Sequence, residues 1–221
     1  MKRNFVLAAA LALAAAHPAA AQLRIPPVQL IAGVGRVSGS HYATFSSAEE
    51  THYMTHGRAT ALQLGLQTTS PVRGVDLRLN LQRWRPQMHV TVPSAAASGG
   101  NVPHEIIYPT QLTSLTLDGI VKLPRVLEAR PYVVAGAGLT RFDFNQNVYV
   151  DADQPVVPAD ATRPTAHLGL GTAWNVGSYD LFVEGSAYMV RLGDPVTSQQ
   201  LRLNEGHNFT LTAGIRIPLK R

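Results

Sequence analysis

The sequence predicts an all-β fold: eight antiparallel strands wound up and down into a closed barrel. Three observations predict it. Val75, Leu77, Leu79 and Leu81 alternate strictly with Asp76, Arg78, Asn80 and Gln82. Successive strand side chains point to opposite faces, so this run has one apolar and one polar face, whereas helical spacing would scatter the leucines. Eight segments of about ten residues, the length of a membrane-crossing strand, show patterns of this kind. The connections between them alternate long and short along the chain. An up-and-down winding therefore gathers the short turns at one end and the long connections at the other.

The chain opens with a secretory signal. Lys2 and Arg3 form a basic start, residues 5–16 an apolar run, His17-Pro18 a break, and Ala19-Ala20-Ala21 a small-residue cleavage site. Residues 1–21 are thus the signal peptide and residues 22–221 a single β-barrel domain. The first strand is placed at 28–39, with Val28, Leu30, Ala32 and Val34 on one face and Gly33 and Gly35 on the other. Residues 40–56 are polar and read as a loop, in which Ser47 and Glu50 form a capping box for a short helix ending at Gly57. The second strand, 58–68, sets Leu62, Leu64 and Leu66 against Gln63, Gly65 and Gln67. After turn-type residues 69–74 comes the third, 75–84.

Residues 85–110 carry prolines and an Ala/Ser/Gly patch and read as a mobile loop. The fourth strand, 111–123, sets Leu115, Leu117, Val121 and Leu123 against Thr116, Asp118 and Lys122. The fifth, 131–144, has ambiguous facing, because Tyr132-Val133-Val134-Ala135 lacks polar alternation. Residues 145–164 form another long loop. The sixth strand, 165–174, sets Leu168, Leu170 and Trp174 against His167, Gly169 and Gly171. The seventh, 179–192, sets Tyr179, Leu181 and Val183 against Asp180, Phe182, Glu184, Ser186 and Tyr188. A turn at 175–178 that pairs Asn175 with Ser178 would place Leu170 opposite Val183 and His167 opposite Ser186. After a last loop, 193–206, the eighth strand, 207–219, alternates Phe209, Leu211, Ala213, Ile215 and Ile217 with polar residues and Gly214.

Composition narrows the functional classes. Cysteine is absent, which excludes thiol catalysis and disulfide stapling. Beyond the leader no apolar run approaches the roughly 18 residues of a membrane helix, so the mature chain can cross a bilayer only as strands. The formal charge is +5, two units of it from Lys2 and Arg3, with no basic run, which argues against nucleic-acid binding. Short turns at one end, long loops at the other and an even strand count are features of bacterial outer-membrane barrels. In that setting Leu62, Leu64, Leu66, Leu77, Leu79, Leu81, Leu168, Leu170, Leu181, Val183, Phe209 and Leu211 face lipid. Asp76, Arg78, Asn80, Asp118, Lys122, Glu184 and Arg216 form a polar network in the lumen, with Gln63 and Gln67 beside them. Trp174 and Tyr179 form an aromatic girdle at the short-turn end. Eight strands leave an interior just wide enough for side chains to fill, so the lumen is expected to be plugged or very narrow.

The last strand reads Thr212-Ala213-Gly214-Ile215-Arg216-Ile217-Pro218-Leu219. With the strand count, this resembles the small eight-stranded outer-membrane β-barrel superfamily, typified by the transmembrane domain of outer-membrane protein A. The resemblance implies that Thr212, Gly214, Ile217 and Leu219 belong to a C-terminal assembly signal read by the barrel assembly machinery. It also implies a monomer in the cell outer membrane, in contact with outer-membrane lipid and lipopolysaccharide, with short periplasmic turns and long external loops. The peptidoglycan-binding domain that follows the barrel in that protein is expected to be missing, and the ending Leu219-Lys220-Arg221 departs from the usual terminal aromatic residue.

Other side chains invite chemistry. His167, Ser186 and Glu184 lie together in the register above, and a hydroxyl within reach of a base is the minimum for nucleophilic catalysis. His52 and His56, four apart, would share one helical face, with His41 nearby. Asp151 and Asp153 lack the spacing of a calcium loop. The Gly-x-Gly pairs starting at Gly33, Gly136 and Gly169 lack the helix of a nucleotide loop, and Asn208-Phe209-Thr210 is a glycosylation triplet inside a strand. The expected function is therefore structural or surface-interacting, with no cofactor, no metal and no enzymatic activity. A soluble periplasmic barrel binding an apolar ligand and an outer-membrane lipid-modifying enzyme are the alternatives.

Overall fold

A computed structural model describes residues 26–39, 41–46, 51–92, 104–144, 160–190, 201–203 and 206–219. The signal peptide, the Ser47 and Glu50 capping box and the Asp151 and Asp153 pair lie outside these residues.

Twelve strands follow one another: β1 (Val28–Gly39), β2 (His41–Ser46), β3 (Thr51–His56), β4 (Ala59–Thr69), β5 (Val75–Trp84), β6 (Gln87–Val92), β7 (His104–Lys122), β8 (Ala129–Phe144), β9 (Ala161–Val176), β10 (Tyr179–Val190), β11 (Leu201–Leu203) and β12 (Gly206–Pro218). Eight of them, β1, β4, β5, β7, β8, β9, β10 and β12, each pair antiparallel with the next. The first and last then close the wall, with Val34 opposite Ala213. These are the eight predicted strands, and the up-and-down winding follows.

The alternation that defines each strand also decides its facing. On β5, Leu79 is 47% exposed on the outer surface, while its neighbours Arg78 and Asn80 are fully buried inside. The facing left open on β8 is settled by its neighbours. Tyr132, Val134, Thr140 and Phe142 are buried inside, and Ala135, Ala137 and Leu139 are exposed outside.

Three expectations need correction. Segments 40–56 and 85–110 are not simple loops. They contain β2, β3, β6 and the first residues of β7, which pair in the order β11-β2-β3-β6-β7 and extend the wall at the long-connection end. Their Thr, Tyr, Phe and Val content suits strands, and cross-loop pairing satisfies backbone groups that a free loop would leave to water. His52 and His56 consequently lie on a strand, where four residues span roughly 13 Å rather than one helical turn. The third correction concerns the β9–β10 hairpin, which turns on two residues, Gly177 and Ser178, with Val176 paired to Tyr179. Gly177 takes φ 66°, the left-handed conformation that a two-residue hairpin turn favours at its first central position. The register therefore slips by two residues from the predicted one. A slip of two preserves every facing but changes every partner: Leu170 faces Gly185, and His167 faces Tyr188.

Candidate functional site

The barrel interior holds the densest chemistry. At mid-height on β5, Arg78 reaches two carboxylates. Its Nε donates to Asp118 Oδ2 at 3.0 Å, and its Nη1 and Nη2 donate to Glu184 Oε2 and Oε1 at 2.7 and 3.0 Å. The planar guanidinium thus binds Glu184 as a fork while holding Asp118 by a third donor. Further partners complete all four carboxylate oxygens. Tyr132 Oη donates to Glu184 Oε2 at 3.1 Å, and Ser186 Oγ donates to Oε1 at 3.0 Å. His167 Nδ1 lies 2.9 Å from Asp118 Oδ1. Burying charges away from water costs several kcal/mol per ion unless each is paired and hydrogen-bonded, a condition this cluster meets.

The network crosses strands that are not neighbours, and glycine makes that possible. Gly136 on β8 pairs with Asp118 of β7 on one side and with His167 of β9 on the other. A Cβ at Gly136 would stand 2.2 Å from Asp118 Oδ1 and 2.6 Å from the Leu117 carbonyl oxygen. The bare glycine lets the carboxylate and imidazole meet across an intervening strand. Gly171 does the same on β9: it pairs with Tyr132 and with Glu184, whose side chains bond over it. Gly136→Val is expected to destabilise the barrel by about 1–3 kcal/mol, the usual cost of overpacking, because the nearest obstacle includes backbone. Urea unfolding in lipid vesicles checks this, and an unchanged midpoint would contradict it.

Above this layer, Tyr188 stacks on His167 with ring centroids 4.3 Å apart and accepts a hydrogen bond from Asn80 Nδ2 at 2.9 Å. Asn80 Oδ1 accepts from Gln63 Nε2 at 2.9 Å. Trp84 packs against Tyr188 at 5.6 Å, and Leu112, Phe142 and Val190 are buried towards the same end. On the short-turn side the charges are capped by Ile31, Ile120, Tyr132, Val134, Ala173 and Phe182, all buried in one apolar cluster. The charged layer thus sits between two apolar layers. Alternation did not reveal these layers, since it marks a face without revealing that aromatic residues share it with charged ones.

All seven predicted lumen residues sit on the inner face, but they do not form one continuous network. Arg78, Asp118, Glu184 and Asn80 belong to the sealed middle. Asp76 accepts from Gln67 Nε2 at 2.8 Å and pairs with Lys122 at 2.8 Å, nearer the short-turn mouth. The Lys122 side chain is 55% exposed and so caps the lumen rather than filling it. Arg216 is buried against the rings of Tyr132 and Phe182, at 4.4 and 5.2 Å, and lines the same short-turn-end cavity as Asp76 and Lys122. All twelve residues placed on the outer face are exposed there. Tyr179 is exposed and Trp174 half-buried beside the short turn. On the last strand Thr212 is buried inside, whereas Ile217 and Leu219 are exposed.

The nucleophile–base pair considered for His167 and Ser186 is not assembled. Both are buried, but Ser186 faces Gly169 across the hairpin and donates its hydrogen bond to Glu184, while His167 serves Asp118. The two-residue register slip separates them. Among the described residues no group of three or more His, Cys, Asp or Glu is arranged to hold a metal ion.

An antiparallel eight-stranded barrel with leucines outside and ion pairs on its axis is the arrangement of a membrane-spanning barrel, the reverse of a soluble barrel built around an apolar cavity. The comparisons agree on the fold. Neisserial surface protein A superposes with a TM-score of 0.54 at 13% identity, over 87% of this chain and 97% of that one. The outer membrane protein OprG from Pseudomonas aeruginosa gives 0.57 at 13% identity, over 89% and 97%. No protein-family model matches the sequence, and no curated protein matches it.

Proposed function

We propose that the protein is a bacterial outer-membrane barrel with a closed lumen, acting as a structural or surface-interacting element rather than as a pore or an enzyme. The observation that carries this reading is the facing on β5, where exposed Leu79 lies between fully buried Arg78 and Asn80. Twelve or more exposed aliphatic residues in water would be costly, at about 25 cal/mol per Å² of apolar surface, whereas lipid accepts them. The fold shared with Neisserial surface protein A and OprG supports the same location. A soluble barrel for apolar ligands would turn this pattern inside out.

Outer-membrane lipid and lipopolysaccharide are the proposed partners of the wall. Arg36, Arg83 and Arg141 are exposed on its outer face at the long-connection edge of the apolar band. Guanidinium groups there suit the phosphates of a lipid headgroup layer. The barrel assembly machinery is the proposed partner of the last strand. The cell outer membrane, a monomeric state and a role without nucleic acid complete the reading.

Planar-bilayer recording on refolded protein tests the closed lumen. The expected result is silence, because an ion would have to pass the Trp84–Tyr188 layer, the Arg78 cluster and the Phe182 layer in turn. Steady, repeated openings would overturn it.

A further inference from the structure

An open cleft of about 550 Å³ lies on the rim at the short-turn end, between the β9–β10 turn and the paired ends of β1 and β12. Its origin is a parting of strands. The β10–β12 ladder begins at Asp180 and Arg216, so Tyr179 and Ile217 lie beyond its last rung, and Pro218 has no N–H with which to extend it. The cleft draws its lining from both faces of the wall. Arg130, Asn175 and Asp180 continue the inward-facing positions of β8, β9 and β10, while Tyr179 and Ile217 continue the outward-facing positions of β10 and β12. Polar and apolar surfaces therefore meet at one edge of the barrel.

The two charges in this cleft are accessible and incompletely met. The Arg130 side chain is 43% exposed, and its Nη1 stands 4.0 Å from Asp180 Oδ1, beyond hydrogen-bond distance. That oxygen already accepts from Asn175 Nδ2 at 3.0 Å. Among the described residues no hydrogen bond reaches the Arg130 guanidinium or Asp180 Oδ2. Lys122 and Asp76, on the same rim, close to 2.8 Å and leave no such gap. A cation and a carboxylate held apart suit a ligand that carries both signs. The height of the cleft says where that ligand comes from. Tyr179 is exposed on the outer face, and tyrosines of membrane proteins gather at the bilayer–water boundary. Deeper on that face Leu181 pairs with Ile215, an apolar surface along which acyl chains can lie.

We propose that this cleft binds the headgroup of a zwitterionic phospholipid, phosphatidylethanolamine, in the leaflet at the short-turn end. The inference rests on the outer-membrane reading above and adds a defined lipid site to it. The phosphate takes the free donors of Arg130, with the Ser178 hydroxyl at the turn as a further donor. The primary ammonium donates to Asp180 Oδ2. Both contacts are charge-assisted hydrogen bonds, the strong kind. Phosphatidylcholine offers the same phosphate, but its quaternary ammonium has no N–H to donate. Phosphatidylglycerol carries no cation at all. Either lipid leaves Asp180 unmet. The volume lies within the roughly 300–1,000 Å³ of ordinary small-molecule sites, the scale of a headgroup.

The test uses full-length mature protein refolded into phosphatidylcholine vesicles, with insertion read by protease protection. The protein is then transferred to mild detergent with equimolar phosphatidylethanolamine, phosphatidylcholine and phosphatidylglycerol of identical acyl chains. Native mass spectrometry reads which lipid stays bound. One phosphatidylethanolamine is expected to be retained roughly tenfold over each competitor, the scale of one hydrogen bond between charged groups. Asp180→Asn is expected to abolish the preference over phosphatidylcholine while lipid still binds through Arg130. Arg130→Gln is expected to lose all three lipids. Arg73→Gln, on an exposed arginine of the neighbouring β4–β5 turn outside the cleft, should change nothing. Circular dichroism and protease protection establish that each variant is folded and inserted. Equal retention of the three lipids, or a preference that survives in both cleft variants, would overturn the site and leave the outer-membrane reading standing. Glycerophosphoethanolamine binding as tightly as the whole lipid would assign the cleft to a free zwitterion and overturn the lipid assignment. Failure of the unaltered protein to insert would overturn the reading and the site together.

Discussion

Arg78→Met is expected to lower the stability of the barrel by about 3–5 kcal/mol, the cost of breaking a buried ion pair from one side. The variant keeps most of the side-chain volume and removes three donors, those reaching Asp118 and both oxygens of Glu184. Two carboxylates are then left buried in one layer, sealed by apolar groups above and below. The measure is the urea midpoint of the refolded protein in vesicles, followed by tryptophan fluorescence. The sharper readout is a cycle. Neutralising the carboxylates in the same background, as Arg78→Met with Asp118→Asn and Glu184→Gln, is expected to recover much of the loss, because what destabilises is the uncompensated charge rather than the missing contact. Residues within one network couple by about 0.5–3 kcal/mol. A single-variant loss below 1 kcal/mol, or losses that simply add, would show that water reaches this layer and that the barrel is not sealed there.

That cluster shows how far alternation reaches. It placed Arg78, Asp118 and Glu184 on one face, because period-two patterning carries facing. It could not pair them, because partners on different strands depend on register. Register depends on where the turn falls, and the β9–β10 turn shows the consequence. Centring the two-residue turn on Val176 and Gly177 instead of on Gly177 and Ser178 kept His167 and Ser186 inside but invented a contact between them. The bridging glycines were visible only as members of Gly-x-Gly pairs without a nucleotide loop. Gly136 gains its meaning from the lateral row Asp118–Gly136–His167, which exists only once three strands are aligned. The ambiguity of β8 has a related cause: Tyr132 and Val134 belong to the inward apolar layer beside the short turns, so both faces of that strand are apolar there. Strands β2, β3 and β6 were read as loop because nothing in a polar segment announces that another polar segment will pair with it.

Leu79→Arg is expected to prevent stable insertion, while Asn80→Ala is expected to insert and merely unfold more easily. Leu79 lies at the centre of β5 on the outer face, and a charged side chain at bilayer mid-depth costs roughly 2–4 kcal/mol in a barrel of this kind. At about 1.4 kcal/mol per factor of ten, that lowers the inserted fraction by one to three orders of magnitude. Asn80→Ala removes the bonds to Tyr188 and Gln63, at an expected cost of about 1–3 kcal/mol, but puts nothing charged into lipid. The two substitutions are one residue apart, on the same strand and at the same depth. Any difference between them therefore reports which way each side chain points. Protease protection after refolding into phosphatidylcholine vesicles reads insertion, and urea unfolding of the inserted fraction reads stability. Equal insertion of the two variants would mean that the leucines do not meet hydrocarbon. The closed polar axis would then have to be explained in water, where an exposed belt of leucines, valines and Phe209 has no partner of its own.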